Sequence, residues 1–401
     1  MENKDIVLFE ELCDALSQAL YGIKDNKKSY SQECFKLANE QGVLTLLQPV
    51  KDCFEENIAT AIEKRAQACA NSNIRLSYLA RYILHAMNEN EIPACLLKGA
   101  SIAADYPIPE LRHFSDVDVY LLDISDLDAT KELLESLDFK ICERQDSRHH
   151  IEYVHSTGLK LELHTKPTRA FEVRFANDYI NKVFATAKEN IETISVYGME
   201  FKILPKGINA LYILLHILQH YLNAGFGLNL ICDYSMYWNS NSSEELKKEY
   251  KEHIKNLGLS DFSDMLSKLS YAYLGGEVNC YPWINIEANA VSIDKLKKDD
   301  LVLSFVKEIL ASGSYGRNDT SRIVNLKDNS IIGLVSQFHH QMKENFPKGS
   351  KVFIIWPGLW IATLIIFIRN NSRVRKTSTM KVLKTAFKRG DVTRQLHLWK
   401  R

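Results

Sequence analysis

What the sequence lacks narrows its class before any motif is considered. Its eight cysteines, at positions 13, 34, 53, 69, 95, 142, 232 and 280, form no C-x-x-C pair and no zinc-type spacing. Scattered thiols argue against a disulfide framework and read as reduced, buried small side chains of a cytosolic protein. Net charge is also missing: 50 Lys and Arg balance 50 Asp and Glu, so no overall field demands a nucleic acid or another polyanion as obligatory partner. The opening MENKDIVLFEELCDALSQAL is acidic and amphipathic without the pattern of a cleavable signal, which sets a cytoplasmic expectation. Internal repeats and low-complexity tracts are lacking too.

What is present suits a globular chain of two or three domains, with 401 residues of which 46% are hydrophobic. From Asp5 to about Asn90 apolar residues recur at helical spacing, as in Leu76, Leu79, Ile83 and Met87, and about four helices are expected. A short apolar run, Pro93 to Leu97, then ends at Lys98-Gly99 as a buried strand meeting a turn. Gly99 to Tyr106 reads as a helix closed by Pro107 and Pro109. Strands follow at Val117 to Leu122, Phe139 to Glu143, His149 to His155 and Leu159 to His164, with a helix from Ser125 to Leu137 capped by Ser125. After Lys206 the pattern is helical again, broken by Gly225 and Gly227. The expected organisation is a helical region over 1–90, a mixed α+β core over 91–205, a helical domain over 206–345, and an apolar segment with a basic tail over 346–401.

Two carboxylates one residue apart, Asp116 and Asp118, sit in an apolar strand-like run. Side chains i and i+2 of a strand share a face, so the two emerge together while Val117 and Val119 enter the core. In Leu159 to His164 the same alternation puts Lys160, Glu162 and His164 on one face. If the two strands are neighbours, three carboxylates converge, and their repulsion must be offset by cations. Magnesium is the natural candidate, because it takes oxygen ligands and combines carboxylates with substrate phosphates. Two such ions would clamp the attacking and leaving oxygens of an in-line displacement. An isolated D-x-D is weakly specific, and a solvated strand edge would also explain it.

The order of pieces resembles a known family. Leu97-Lys98-Gly99-x-Ser101, Tyr106-Pro107-x-Pro109-x-x-Arg112, Ser115-Asp116-Val117-Asp118-Val119 and Leu161-Glu162-Leu163-His164 are similar to the signature of a bacterial nucleotidyltransferase family of the polymerase-β-like superfamily. The resemblance spans roughly 70–240 and implies an α+β fold, a nucleotidyltransferase-type mixed β-sheet with helices, flanked by helical N-terminal and C-terminal regions. It implies two Mg²⁺ ions and an NTP substrate, with Asp116, Asp118 and Glu162 as metal ligands and catalytic carboxylates. Lys98, Gly99, Ser101, Arg112 and Ser115 become the nucleotide-binding residues, with His164, His216, His220 and Asp233 lining the cleft. The usual Gly-Ser or Gly-Gly turn is replaced by Lys98-Gly99-Ala100-Ser101, and the spacer to Asp116 is long. Gly99 would let the backbone approach phosphate closely. Lys98 would add a point charge and Arg112 a forked donor; otherwise Lys98 is a strand-end charge and Arg112 a partner of Asp116 or Asp118.

The expected activity is Mg-dependent transfer of an NMP from an NTP, with release of pyrophosphate, to an acceptor that is a small molecule, a glycan precursor, a protein or an RNA. The alternative is a non-catalytic nucleotide-binding or membrane-peripheral interaction protein that keeps the fold. His216-Ile-Leu-Gln-His220 has zinc-capable spacing but lacks the glutamate of H-E-x-x-H, which argues against a metalloprotease. His149, His150 and His155 read as polar strand residues. The one long uncharged run, Val352 to Ile368, has 17 residues, at the lower limit for crossing a bilayer. Beyond it, 369–401 carry eleven Lys and Arg against one acid, Asp391. Such a pair suits a core segment followed by a basic helix with Val374, Met380, Leu383 and Phe387 inward, an interfacial helix in peripheral membrane contact through 352–401, or a spanning anchor.

Overall fold

In the computed structural model, residues 3–22, 29–142, 149–314, 330–374 and 376–400 are described, with 321, 324 and 326 between them. The N-terminal part is helical as its periodicity requires: α1 (Asn3–Tyr21), α2 (Gln32–Glu40), a 3-10 stretch Leu44–Cys53 and the 34-residue α3 (Glu56–Glu89). Ser31 caps α2 by accepting from Cys34 N–H at 3.1 Å. Along α3 the buried residues Ile58, Ile62, Ala66, Cys69, Asn73, Leu76, Ala80, Ile83 and Met87 recur every three or four positions, one continuous stripe.

The α+β expectation holds. Strands β1 (Ala94–Leu96), β2 (Val117–Leu121), β3 (Phe139–Ile141), β4 (His150–His155), β5 (Lys160–His164), β6 (Glu192–Val196) and β7 (Met199–Ile203) form one mixed sheet in the order β3-β4-β5-β2-β1-β7-β6. Strands β2 and β5 run parallel, and β1 is antiparallel to β2 but parallel to β7. One sheet face carries Leu96, Val117, Val119, Leu121, Tyr153, Leu161 and Leu163 onto the second half of α3. The opposite face carries Cys95, Leu97 and Tyr120 into a larger core shared by the N-terminal helices and the helices after β7.

Between the strands lie α4 (Ala100–Ala103), α5 (Leu127–Ser136) and α6 (Arg174–Ala185). After β7 come α7 (Lys206–Leu222), α8 (Leu228–Ser240), α9 (Glu244–Leu257), α10 (Ser260–Leu269), α11 (Ile293–Leu296) and α12 (Asp300–Ser312). Helix α7 is apolar almost all round because it is buried between the sheet and the other helices. The charge-dense α9 is a solvated amphipathic helix, started by Ser243 and ended by Gly258 in the left-handed region at φ +66°.

Several details depart from the sequence reading. The helix expected from Gly99 to Tyr106 is a single turn, because the prolines that follow bar its extension. Asp123, not Ser125, supplies the local cap, accepting from Ser125 N–H at 3.1 Å ahead of a 3-10 turn. Helix α6 and the β6–β7 hairpin were not expected; β7 packs on α3 and β6 on α4, while α6 is buried through Ala176, Ile180 and Phe184 in the larger core. Glu143, the expected end of β3, lies outside the described residues.

The C-terminal part contains α13 (Ile331–Asn345), α14 (Trp356–Arg369) and α15 (Thr379–Gln395). The inward face of α15 is Val382, Ala386, Arg389 and Thr393, while Met380 is exposed. The reason is a buried ion pair: Arg389 Nε meets Glu308 of α12 at 3.2 Å, and its other nitrogens donate to the carbonyls of Asn223, at 2.9 Å, and Tyr221. The basic helix is therefore docked on the helical core. The apolar run is not: among the described helices α14 packs chiefly on α13, and it leaves Phe353, Ile354, Ile361, Leu364, Ile365 and Ile368 exposed. The reading of 352–368 as a core segment is corrected accordingly.

Candidate active site

The β2–β5 register settles which acidic residues meet. Asp118 stands directly opposite Glu162, and Glu162 directly opposite Glu152 of β4. One step along the same face, Tyr120, His164 and His150 form the next row. Facing residues in adjacent strands share a side of the sheet, so acids and imidazoles build a two-row patch there. Asp116, one residue before β2, is half-buried at its edge.

Asp118 is buried, with Lys98 Nζ at 2.8 Å and His164 Nε2 at 2.9 Å, both on Oδ1. Burial alone would raise its pKa. The Lys98 ammonium and the His164 hydrogen bond overcome that and hold the carboxyl well below the usual range. Burial likewise opposes the charge on Lys98, yet Asp118 keeps its pKa high. Asp116 moves the other way, up to about 6, through burial first and then the charge of Asp118, with Glu162 adding to it. Crowded carboxylates of this kind are what a bound cation relieves. His164 is raised because its hydrogen bonds to Asp118 and Glu162 outweigh burial.

The helical side is supplied by α7. Tyr212 stacks on His216 with centroids 6.0 Å apart, and His216 meets His220 edge-on at 4.6 Å. Burial, assisted by the Lys98 charge, lowers His220 to about 4 and His216 further, so both imidazoles are neutral at pH 7. His216 therefore lies within electrostatic reach of Asp118, and His220 within reach of Lys98.

Arg112 and Asp233 are brought together. The guanidinium forks onto the carboxylate, Nε to Oδ1 at 3.0 Å and Nη2 to Oδ2 at 2.8 Å, while Tyr106 donates to Oδ1 at 2.7 Å. Arg112 Nη1 also donates to Gly99 O at 3.3 Å. Its partner is thus neither Asp116 nor Asp118. It ties α8 to the glycine turn and holds that turn's carbonyl. Gly99 is required there twice over: its φ is +66°, and a Cβ would come 3.3 Å from the Phe114 ring. Ser101 is buried and donates to Leu97 O at 3.1 Å, closing the turn. Ser115 is exposed beside Asp116.

Sequence reasoning missed His149, His150 and Glu152. Their rings and carboxyl stand beside His164 and Glu162, with His149 to His150 centroids 4.5 Å apart and His150 Nδ1 at 3.3 Å from Glu162. The signal was the alternation His150-Ile-Glu152-Tyr-Val, which points His150 and Glu152 to one face once β4 is paired with β5.

With this geometry in place, a protein-family profile described as uncharacterised nucleotidyltransferase matches residues 28–275. The chain belongs to that family. The matched span runs from α2 through α10 and includes the entire sheet, so this nucleotidyltransferase family member carries its acidic patch within the shared region. Among solved structures, the chain is similar to an antigenic nucleotidyltransferase-like protein from Paracoccidioides brasiliensis, at 19% identity and a TM-score of 0.28, over 48% of this chain and 91% of that one. No curated protein matches the chain.

Proposed function

We propose that this family member transfers a nucleotidyl group from an NTP to an acceptor hydroxyl or phosphate, with a divalent metal held by Asp116, Asp118 and Glu162. The observation that carries the reading is the pairing of Asp118 with Glu162 across parallel strands, with Asp116, just before β2, near enough for both charges to act on it. The donor set fits magnesium: hard carboxylate oxygens, one of them in a buried carboxylate already balanced by a cation. Bound there, magnesium would neutralise phosphate charge and lower the barrier to attack.

The chain's own residues supply the rest. Glu162, half-buried, is suited to orient the acceptor oxygen and take its proton. That oxygen forms a bond to the α-phosphorus, the bond to the bridging oxygen breaks, and pyrophosphate leaves with the electron pair. Lys98, next to Gly99 in sequence and paired with Asp118, is suited to follow the charge of the triphosphate. Arg112 acts by positioning that turn. In the test, the full chain is incubated with α-labelled NTPs, Mg²⁺ and candidate acceptors while pyrophosphate is measured. Asp116→Asn and Asp118→Asn should each abolish label transfer, the first with the thermal unfolding profile retained and the second with some loss of stability, because Lys98 and His164 then lack their buried anion. Transfer undiminished in both would remove the assignment.

A second reading concerns place rather than chemistry. The hairpin of α13 and α14 exposes Ile331, Ile332, Phe353, Ile354, Ile361 and Ile365, and the 21-residue helical stretch Phe353–Arg373 is long and apolar enough to cross a membrane. Lys348 and Lys351 precede it, and Arg369 and Arg373 lie in its last turns. An apolar surface with cations at both ends complements an anionic lipid surface. We therefore place the hairpin against a bilayer. Flotation with vesicles containing anionic lipid should carry the full chain, and Ile361→Asp with Ile365→Asp should release it. Equal flotation of both proteins would reject the lipid contact, as would oligomers of the wild type that dissociate in the variant without any flotation.

A further inference from the structure

We propose that His149, His150 and His164, with Glu162, form a site for a divalent transition-metal ion, next to but distinct from the all-oxygen position at Asp116 and Asp118. It goes beyond the transfer reading and shares with it only Glu162.

Three observations carry it. A ring nitrogen from each of His149, His150 and His164 lies within 4.8 Å of the others, and a second trio, His150, Glu152 and Glu162, overlaps the first. Zinc–nitrogen bonds are about 2.0–2.1 Å, so two nitrogens on one ion are at most about 4.2 Å apart. Small side-chain rotations therefore bring these ligands onto one ion.

The second observation is independent of the clustering. His164 is 2% exposed, yet its Nδ1 has no hydrogen-bond partner among the described residues. Both nitrogens of His150 are buried in the same condition, at 3.3 Å from Glu162 and 3.5 Å from Glu152 without hydrogen-bonding geometry. Buried polar atoms are almost always satisfied, and three unsatisfied nitrogens on one patch mark a place built for a ligand.

The third is the chemistry of the donors. A chain meant only for magnesium would present oxygens alone, because magnesium dehydrates reluctantly and keeps oxygen ligands. Imidazoles suit zinc, copper, iron or nickel instead. The two rows of the sheet therefore sort two classes of cation: the carboxylate row of Asp118, Glu162 and Glu152, and the imidazole row of His164 and His150 with His149 beside it.

The test uses tag-free, metal-stripped full chain titrated with Co²⁺ in a large excess of Mg²⁺, followed by visible absorption and by calorimetry. One saturable equivalent with ligand-field bands is expected, displaced by Zn²⁺. His150→Ala and His149→Asn should each weaken it by at least tenfold, as checked on protein whose unfolding profile matches the wild type. Asp116→Asn should lose label transfer while keeping the cobalt spectrum. Absence of saturable Co²⁺ binding, or binding unchanged in both histidine variants, overturns the site. Cobalt binding by a wild type that transfers no nucleotide would overturn the transfer reading alone.

Discussion

At Asp105, burial wins over a hydrogen bond. Desolvation lifts its carboxyl to about 7 although Asn241 Nδ2 donates to it at 2.8 Å, and the nearby Asp233 charge adds to the rise. The folded chain therefore keeps a proton that the unfolded chain loses near pH 4, so stability falls as pH rises from about 4 to 7 and is level above. Asp105→Asn keeps an acceptor for Asn241 and removes the charge. It should raise stability at pH 8 by about 1–2 kcal/mol and have no effect below about pH 4, as read by denaturant unfolding at the two pH values. His220 has the opposite sign. Its pKa of about 4, set by burial and then by Lys98, lies below that of an unfolded histidine, so stability is intact above about 6.5 and drains as pH falls toward 4. His220→Gln should flatten that acid limb in a pH series of melting curves.

Elements are joined here by a few buried charges. Arg112 connects the segment before β2 to α8 through Asp233 and to the glycine turn through Gly99 O. Arg112→Ala leaves Asp233 buried without its cation, and a loss of about 3–5 kcal/mol is expected by chemical denaturation. Arg112→Lys keeps the charge but not the fork, so most of the loss should remain. Arg389 performs the same service for α15 against Glu308. Gly99→Ala meets both a left-handed backbone and the Phe114 ring, and should cost about 1 kcal/mol or more by chemical denaturation. Most strands and helices were readable from period alone. The exceptions were β6 and β7, five residues each, together with the 12-residue α6, whose buried face is only Ala176, Ile180 and Phe184; there neighbours decide the outcome.

For the whole molecule, the sheet has two employments. Its α3 face is packed shut with aliphatic side chains, while the opposite face keeps one polar patch beneath α7. Burying a large apolar side chain contributes roughly 1.5–3 kcal/mol, so the molecule can hold Asp118, Lys98 and His164 in a dry setting only because Trp238, Tyr250, Phe262 and their neighbours stabilise the helices around them. The α13–α14 hairpin stands apart from this economy, apolar and outside both cores.

The order of charges and apolar residues along the chain by itself determined that Asp116 and Asp118 share a side of a strand, that Glu162 and His164 share a side of another, and that Gly99 makes a turn, because backbone periods are local. Only the tertiary structure decided that Arg112 belongs to Asp233 rather than to the acidic pair, that His149 and His150 join His164, and that Arg389 faces inward while Phe353 faces outward. Those outcomes depend on which strand lies beside which and on what covers a helix, and sequence spacing carries neither.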